Sequence, residues 1–170
     1  MEESLAGLSL VQRFAGPLVD VGSGGGSPGL PLAVALPARE VTLLEASRRK
    51  ATFLEQAARD LPNVHVVRGR AEEQPLEAYG VAVARALAPP VVAAEWCLPL
   101  VREGGAAILW VGPSAELVRV DTAAARLNAS LAEAPRGFIV LRKVGPTPPG
   151  FPRRTGVGSP AASAPPFAGR

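Results

Sequence analysis

The sequence predicts an α/β domain built on a doubly wound, mostly parallel central sheet with helices on both faces. Three observations carry this prediction. The candidate strands are short and continuously apolar, as strands buried on both faces are. Segments with helical periodicity lie between them, the signature of βαβ units. A glycine-rich stretch directly follows the first strand, where a βα loop belongs.

Taken in order, Val19 to Gly22 follows the turn signal Gly16-Pro17 and reads as the first strand. It runs into Gly22-Ser23-Gly24-Gly25-Gly26-Ser27-Pro28-Gly29, a loop that opens a short apolar helix over Leu30 to Leu36. Ser27 is the expected N-cap, and Pro28 suits the first helical position because its missing N–H is not needed there. Val41 to Glu45 is a second strand, and Ser47 is expected to cap a helix in which Ala51, Leu54, Ala58 and Leu61 recur at helical spacing until Pro62. Val64 to Val67, Val81 to Ala84 and Ala106 to Val111 supply the third to fifth strands, with a helix over Val91 to Leu98 and a turn at Glu103-Gly104-Gly105. Ser114 to about Ala132 is Ala-rich and reads as a helix, and Gly137 to Leu141 as a last strand. Residues 144 to 170 contain seven Pro and five Gly, which predicts an extended tail. The expected division is a domain over 1–143 and a basic Pro/Gly-rich tail over 144–170.

A chain of 170 residues fits one domain with a full core, and a single Cys rules out an internal disulfide framework and any multi-Cys zinc site. With one His besides, no metal is expected, and a cytoplasmic location is the default. No apolar run reaches the roughly 20 residues of a membrane span, and the acidic start Met1-Glu2-Glu3 is unlike a signal peptide. The net charge of +3 conceals an asymmetry: residues from Arg136 onward carry six cations and no acid, so the rest is net negative. A basic end on an acidic body suits a polyanionic partner, although a solvated tail explains the charge equally well.

In such a sheet, ligands sit outside the carboxyl ends of the strands, and Asp20 to Gly26 is the expected cradle. Gly24, Gly26 and Gly29 also satisfy the dinucleotide fingerprint, with Glu45 21 residues after Gly24, so an NAD-dependent oxidoreductase is one alternative. Two details favour S-adenosylmethionine instead. An acid at Asp20, two residues before the first glycine, suits a cationic cofactor and would repel a pyrophosphate. Arg70-Ala71-Glu72 follows the third strand, where an adenine edge could meet a backbone N–H and a carboxylate; Glu45 would accept the ribose hydroxyls. As for the acceptor, the segment after strand four, Ala88-Pro89-Pro90-Val91, lacks the polar group and aromatic of amino-methylating enzymes. Cys97 lies in an apolar helix pattern with no neighbour to lower its pKa, so it reads as core, not nucleophile. A target such as guanine N7, which is already nucleophilic and has no proton to lose, needs neither device. His65 reads as a strand-surface residue, and Trp110 as a core residue with base stacking as the alternative.

Five segments in order, Val19 to Leu32, Leu43 to Leu54, Gly69 to Glu72, Val83 to Ala86 and Thr147 to Gly156, closely resemble the glucose-inhibited division protein B family, and the resemblance covers nearly the whole chain. It implies a Rossmann-like class I S-adenosylmethionine-dependent methyltransferase acting on guanine N7 in the 530 loop of 16S rRNA, at the position of guanine 527. Naked rRNA or the small ribosomal subunit would be the partner. By resemblance, Gly22 and Ser27 occupy cofactor-loop positions, where the reading of the loop already puts Asp20 and Gly24; Glu45 is the ribose acid, Ala71 and Glu72 form the adenine-side pair, and Arg85 touches cofactor or positions the target base as the residue nearest the chemistry. Arg153 and Arg154, beside Pro152, are the expected RNA contacts. Four departures stand out. Ser27 replaces an apolar residue, and Val111 stands where a Lys precedes Gly112. The stretch between Leu127 and Phe138 is short for the strand before the last, and only Glu3-Ser4-Leu5 is left of the helical N-terminal extension. Val111 and the short N-terminus leave a catalytically degenerate RNA-binding module of the same fold as the other alternative.

Overall fold

The computed structural model describes residues 2–153. Two short helices, α1 (Glu2–Leu5) and α2 (Leu8–Gln12), precede β1 (Leu18–Val21), α3 (Gly29–Ala35), β2 (Val41–Glu45), α4 (Arg48–Ala57) and β3 (Val64–Arg68). A single 3₁₀ turn, Ala71–Glu73, crosses to β4 (Tyr79–Arg85). Then come α5 (Pro90–Cys97), a second 3₁₀ turn, β5 (Val101–Trp110), α6 (Leu117–Ala125), β6 (Ala129–Glu133) and β7 (Phe138–Lys143).

The seven strands form one sheet in the order β3-β2-β1-β4-β5-β7-β6. β1 to β5 pair in parallel, and β7 runs antiparallel to both β5 and β6. Chain order reverses between β1 and β4, so a crevice opens there at the carboxyl ends of the strands. Side chains alternate between the sheet's two faces. Val19, Val21, Ala82, Ala84, Ala107 and Leu109 pack with Ala94, Leu98 and Ala124 of the α5–α6 side. Leu18, Leu43, Val81, Val83 and Ile108 pack with Leu32 and Leu54 of the α3–α4 side, where Val11 of α2 joins them. The same period puts Asp20, Arg85, Trp110 and Phe138 on the second face. Register then sets Arg85 beside Trp110 and Trp110 beside Phe138, a row across three neighbouring strands.

Three expectations are corrected. The helix predicted over Ser114 to Ala132 ends at Ala125, and the stretch between Leu127 and Phe138, read as short for the strand before the last, does hold that strand as β6. Asn128, in the left-handed region at φ 51°, turns the chain, and the Asp121 carboxylate accepts the Leu131 N–H, tying the strand back to α6. Ser27 does not cap α3; Pro28 holds that position with no side-chain cap, and the Ser27 hydroxyl bonds elsewhere. Ser47 does sit at the cap of α4, but its backbone N–H donates to Glu45 and its hydroxyl caps nothing.

The third correction concerns residues 144–153, which have no helix or strand yet pack against the domain. Lys143, wholly buried, donates from Nζ to the Leu98 carbonyl at 3.1 Å and to the Thr147 hydroxyl at 2.7 Å. The Thr147 N–H donates to Glu77 at 2.6 Å, Phe151 packs on the core and Arg153 pairs with Glu95 of α5. Packing thus continues ten residues past the expected boundary at Lys143. Arg154 lies outside the described residues.

Candidate functional site

Where β1 ends, Gly22, Gly24 and Gly26 all take positive φ, 71°, 56° and 92°, which side chains with a Cβ adopt only with strain. The Gly22 and Ser23 N–H groups both donate to the Leu44 carbonyl, at 2.8 and 3.1 Å, which locks the loop to the end of β2. The Glu45 carboxylate completes this bracket. It accepts the Gly24 N–H at 2.9 Å through one oxygen and the Ser47 N–H at 2.8 Å through the other. Each oxygen keeps a further lone pair for a ligand.

The bracket borders a cleft of about 250 Å³. Its walls are Gly22 and Glu45 on one side, Gly69 to Glu72 on a second, and Ala86, Leu87 and Trp96 on a third. The structure thus brings Gly22, Glu45, Ala71 and Glu72 together, as expected. A Cβ on Gly22 would stand 2.3 Å from the Leu87 side chain, so the glycine sets the width of this cleft.

Other expected site residues lie behind or beside it. Asp20 is 1% exposed and does not line the cleft; its carboxylate accepts the Gly29 N–H at 2.9 Å, at the start of α3. Burial pushes this carboxyl up to about 7, with the Gly29 hydrogen bond acting in the opposite direction. Among the described residues, Asp20 Oδ1 is the one buried side-chain atom without a hydrogen-bond partner. Gly24 faces the Glu45 bracket rather than the cleft wall.

Ser27 and Arg85 belong to a second network. Arg85 donates from Nη1 to the Ser27 hydroxyl at 3.0 Å and from Nη2 to Glu3 of α1 at 2.6 Å. The hydroxyls of Ser27 and Ser4 are 2.7 Å apart, and Trp110 Nε1 donates to the Glu3 carbonyl at 2.9 Å. Sequence reasoning missed this role of Glu3, since nothing near it marks a partner 82 residues away. Arg85 and Glu3 line an open hollow of about 650 Å³, with Trp110, Phe138 and Arg136 among its other walls. Ala86, itself at φ 51°, borders both this hollow and the cleft.

Trp110 meets Phe138 edge-on at 5.0 Å, and Gly7 lies so close over its ring that a Cβ there would sit 2.5 Å from it, which fits the core reading. Cys97 is fully buried and its thiol is pushed well above the ordinary range, so it packs and does not attack. His65 is exposed on β3 and pairs with Glu40. Arg153, expected to offer its guanidinium to phosphate, is instead engaged by Glu95 and lies over the Phe151 ring at 5.7 Å. Trp96 and Leu87 were not foreseen as cleft walls; in sequence they are apolar residues like any others. Among the described residues, no group of three or more acidic, His or Cys side chains could hold a metal ion, and no helix is long and apolar enough to cross a membrane.

Residues 1–133 match the family GidB, described as rRNA small subunit methyltransferase G. The ribosomal RNA small subunit methyltransferase G of Synechococcus elongatus is 38% identical over 178 residues, covering 92% of this chain and 74% of the relative. That of Rubrobacter xylanophilus is 41% identical over 167 residues, covering 85% and 64%. Among solved structures, an S-adenosylmethionine-dependent O-methyltransferase from Thermotoga maritima superposes with a TM-score of 0.67 at 16% identity, covering 86% of this chain and 66% of that one. A 16S rRNA N2 G1207 methyltransferase from Thermus thermophilus, in complex with AdoMet and guanosine, gives 0.59 at 22% identity, covering 84% and 40%. Both share the Rossmann-like class I fold.

Proposed function

Because the chain belongs to the GidB family, rRNA small subunit methyltransferase G, we propose that it transfers a methyl group from S-adenosylmethionine to guanine N7 in the 530 loop of 16S rRNA. The observation that carries this reading is the pair of hollows at the carboxyl ends of the strands, back to back at Ala86. One, bordered by the Glu45 and Glu72 carboxylates and the backbone of Gly69 to Ala71, offers the polar groups a nucleoside cofactor needs. The other, walled by aromatic and cationic side chains, suits a nucleobase.

The cleft fits the cofactor in its chemistry. Glu45 holds free lone pairs for two ribose hydroxyls, and the Ala71–Glu72 segment supplies a backbone edge and a carboxylate for adenine. Gly22 keeps the wall thin beside Leu87. Asp20 acts indirectly, by fixing the start of α3 beneath the loop through Gly29. Gly24 contributes its N–H to the Glu45 bracket, and Ser27 orients Arg85.

When bound, S-adenosylmethionine supplies an electrophilic methyl on a sulfonium. The chain's task is to aim an acceptor at it. Guanine N7 carries a lone pair and no proton, so no general base is needed, and rate comes from proximity, alignment and electrostatic support. Arg85 lines the outer hollow beside Ala86, the residue the two hollows share, and orients the base. Arg136, on the rim of the outer hollow, is placed for a flanking phosphate. Val111 lines that hollow where the family has a lysine, so the site works with one cation fewer. With Arg153 committed to Glu95, the tail contact expected of it passes to Arg154.

The test is methyl transfer from labelled S-adenosylmethionine to undermodified 30S subunits and to naked 16S rRNA, followed by chemical cleavage at 7-methylguanine. Cleavage at one guanine of the 530 loop is expected. Cofactor binding without transfer to either substrate would overturn the assignment in favour of a degenerate module.

A further inference from the structure

We propose that Glu3 reads the target base as guanine, a specificity role that rests on the guanine-N7 reading above. Among the described residues that line the outer hollow, Glu3 is the one carboxylate. Its main chain is held by Trp110 Nε1, and Arg85 fixes its Oε2 at 2.6 Å. The side chain is nonetheless 80% exposed, so its remaining acceptor positions face the hollow and its solvent.

The Arg85–Glu3 pair offers a donor beside an acceptor, and that order matches one base. The Watson–Crick edge of guanine presents O6, N1–H and the 2-amino group in a row: an acceptor followed by two donors. With the Arg85 guanidinium on O6, the N1–H and amino group fall to the carboxylate. Adenine presents a 6-amino donor to the guanidinium and a lone pair at N1 to the carboxylate, and is repelled at both.

The same arrangement aims the reacting atom. In guanine, O6 neighbours N7, and Arg85 is the chain neighbour of Ala86, which borders both hollows, and is bonded to Ser27 of the glycine loop. Seating O6 on Arg85 therefore turns N7 toward the cofactor cleft and the N1–H edge away from it, toward α1. The aromatic walls at Trp110 and Phe138 and the Val111 side chain leave an apolar surface for the ring. Arg85 is thereby shared between orienting the base and fixing Glu3, which explains why the first helical turn is tied to the loop rather than left at the surface.

The experiment uses the full chain and 30S subunits reassembled with 16S rRNA carrying either guanine or inosine at the target position. Inosine keeps O6, N1–H and N7 and lacks the 2-amino group. The wild-type chain is expected to use inosine about tenfold less efficiently than guanine in kcat/KM. Glu3→Gln and Glu3→Ala should lose most of that preference, through a loss on guanine, while binding S-adenosylhomocysteine within about twofold of wild type, a change too small to count as a lost contact. The affinity measurement shows that the variants are folded and that the cofactor cleft is intact. Equal use of guanine and inosine by the wild-type chain overturns the proposal, and so do variants that keep the wild-type ratio. Absence of 7-methylguanine in the wild-type reaction on guanine is a different result, and it overturns the reading on which the proposal rests.

Discussion

Replacing Glu45 by Ala tests two consequences of one side chain. Its carboxylate accepts N–H groups from Gly24 and Ser47 at 2.9 and 2.8 Å, and the residue is 7% exposed. A hydrogen bond to a charged acceptor contributes about 1.5–3 kcal/mol. Truncation, however, opens the site toward the cleft, and water can then reach both donors, which discounts the sum to about 2–3 kcal/mol. For a domain of this size 1 kcal/mol corresponds to roughly 2–4 °C, so the melting temperature should fall by about 4–12 °C. Affinity for S-adenosylhomocysteine should fall about tenfold or more, from lost ribose contacts and a loosened Gly24 turn. Glu45→Gln, which keeps one acceptor, should lie between the two. Thermal unfolding with and without ligand, together with direct titration, reads both effects. A melting temperature within about 1 °C of wild type would refute the bracket, because two hydrogen bonds of this kind cannot vanish at so small a cost. A dissociation constant unchanged in a destabilised variant would leave Glu45 structural and remove it from the ligand site.

Asp20 predicts a pH dependence. Its carboxyl titrates near 7 in the folded chain against an ordinary value of 3.8, so between those values the folded state holds a proton that the unfolded state has released. Stability from this group is therefore present at low pH and lost as pH rises toward 7, with a slope of at most about 1.4 kcal/mol per unit. Asp20→Asn should flatten the wild-type decline between pH 5 and 7 in thermal melts; an identical slope would contradict the burial argument. Arg153→Ala leaves Glu95, 7% exposed, without its cation and should cost about 1–3 kcal/mol, with Glu95→Gln in the same chain recovering part of it. The salt dependence of RNA binding should stay as in wild type, and a flatter slope would return Arg153 to the RNA. Gly22→Ala combines a left-handed backbone with a Cβ 2.3 Å from Leu87, so it should cost roughly 1–2 kcal/mol and weaken S-adenosylhomocysteine binding as Leu87 is driven aside. A variant that melts and binds like wild type would show that the glycine is replaceable.

The legible and illegible parts of this chain separate by the sequence distance of the contacts that decide them. β1 and β2 declare themselves as apolar runs bounded by turn residues, and the rule that ligands gather at strand ends then brings Gly22, Glu45 and Glu72 to one cleft without any knowledge of packing. Ala129 to Glu133 carries no such mark, because an Ala-rich stretch satisfies helical spacing as well. Its strand identity comes from pairing with β7, Leu131 against Leu141, and from the left-handed turn at Asn128. Ser27 obeys the local rule for a cap and yet does not cap, since Arg85, 58 residues away, and Ser4, 23 away, claim its hydroxyl. Arg153 sits in a segment with no acid nearby, and only the fold brings Glu95 to it.

Two acids that look alike in sequence, each near the end of a strand, divide the labour of the glycine loop by depth. Asp20 lies on β1 in the middle of the sheet, where neighbouring strands and α3 seal it from water; it organises the loop through Gly29 and cannot reach a ligand in the cleft. Glu45 is the last residue of β2, where the sheet ends and the cleft begins, so the same kind of hydrogen bond to the loop leaves lone pairs facing outward. Changes at the two positions should therefore separate in their readouts. An Asp20 variant acts on ligand affinity only as far as the α3 end of the loop shifts, and its main signature is the pH profile of stability. A Glu45 variant loses affinity by both routes, contact and loop shape, at every pH where the chain is folded.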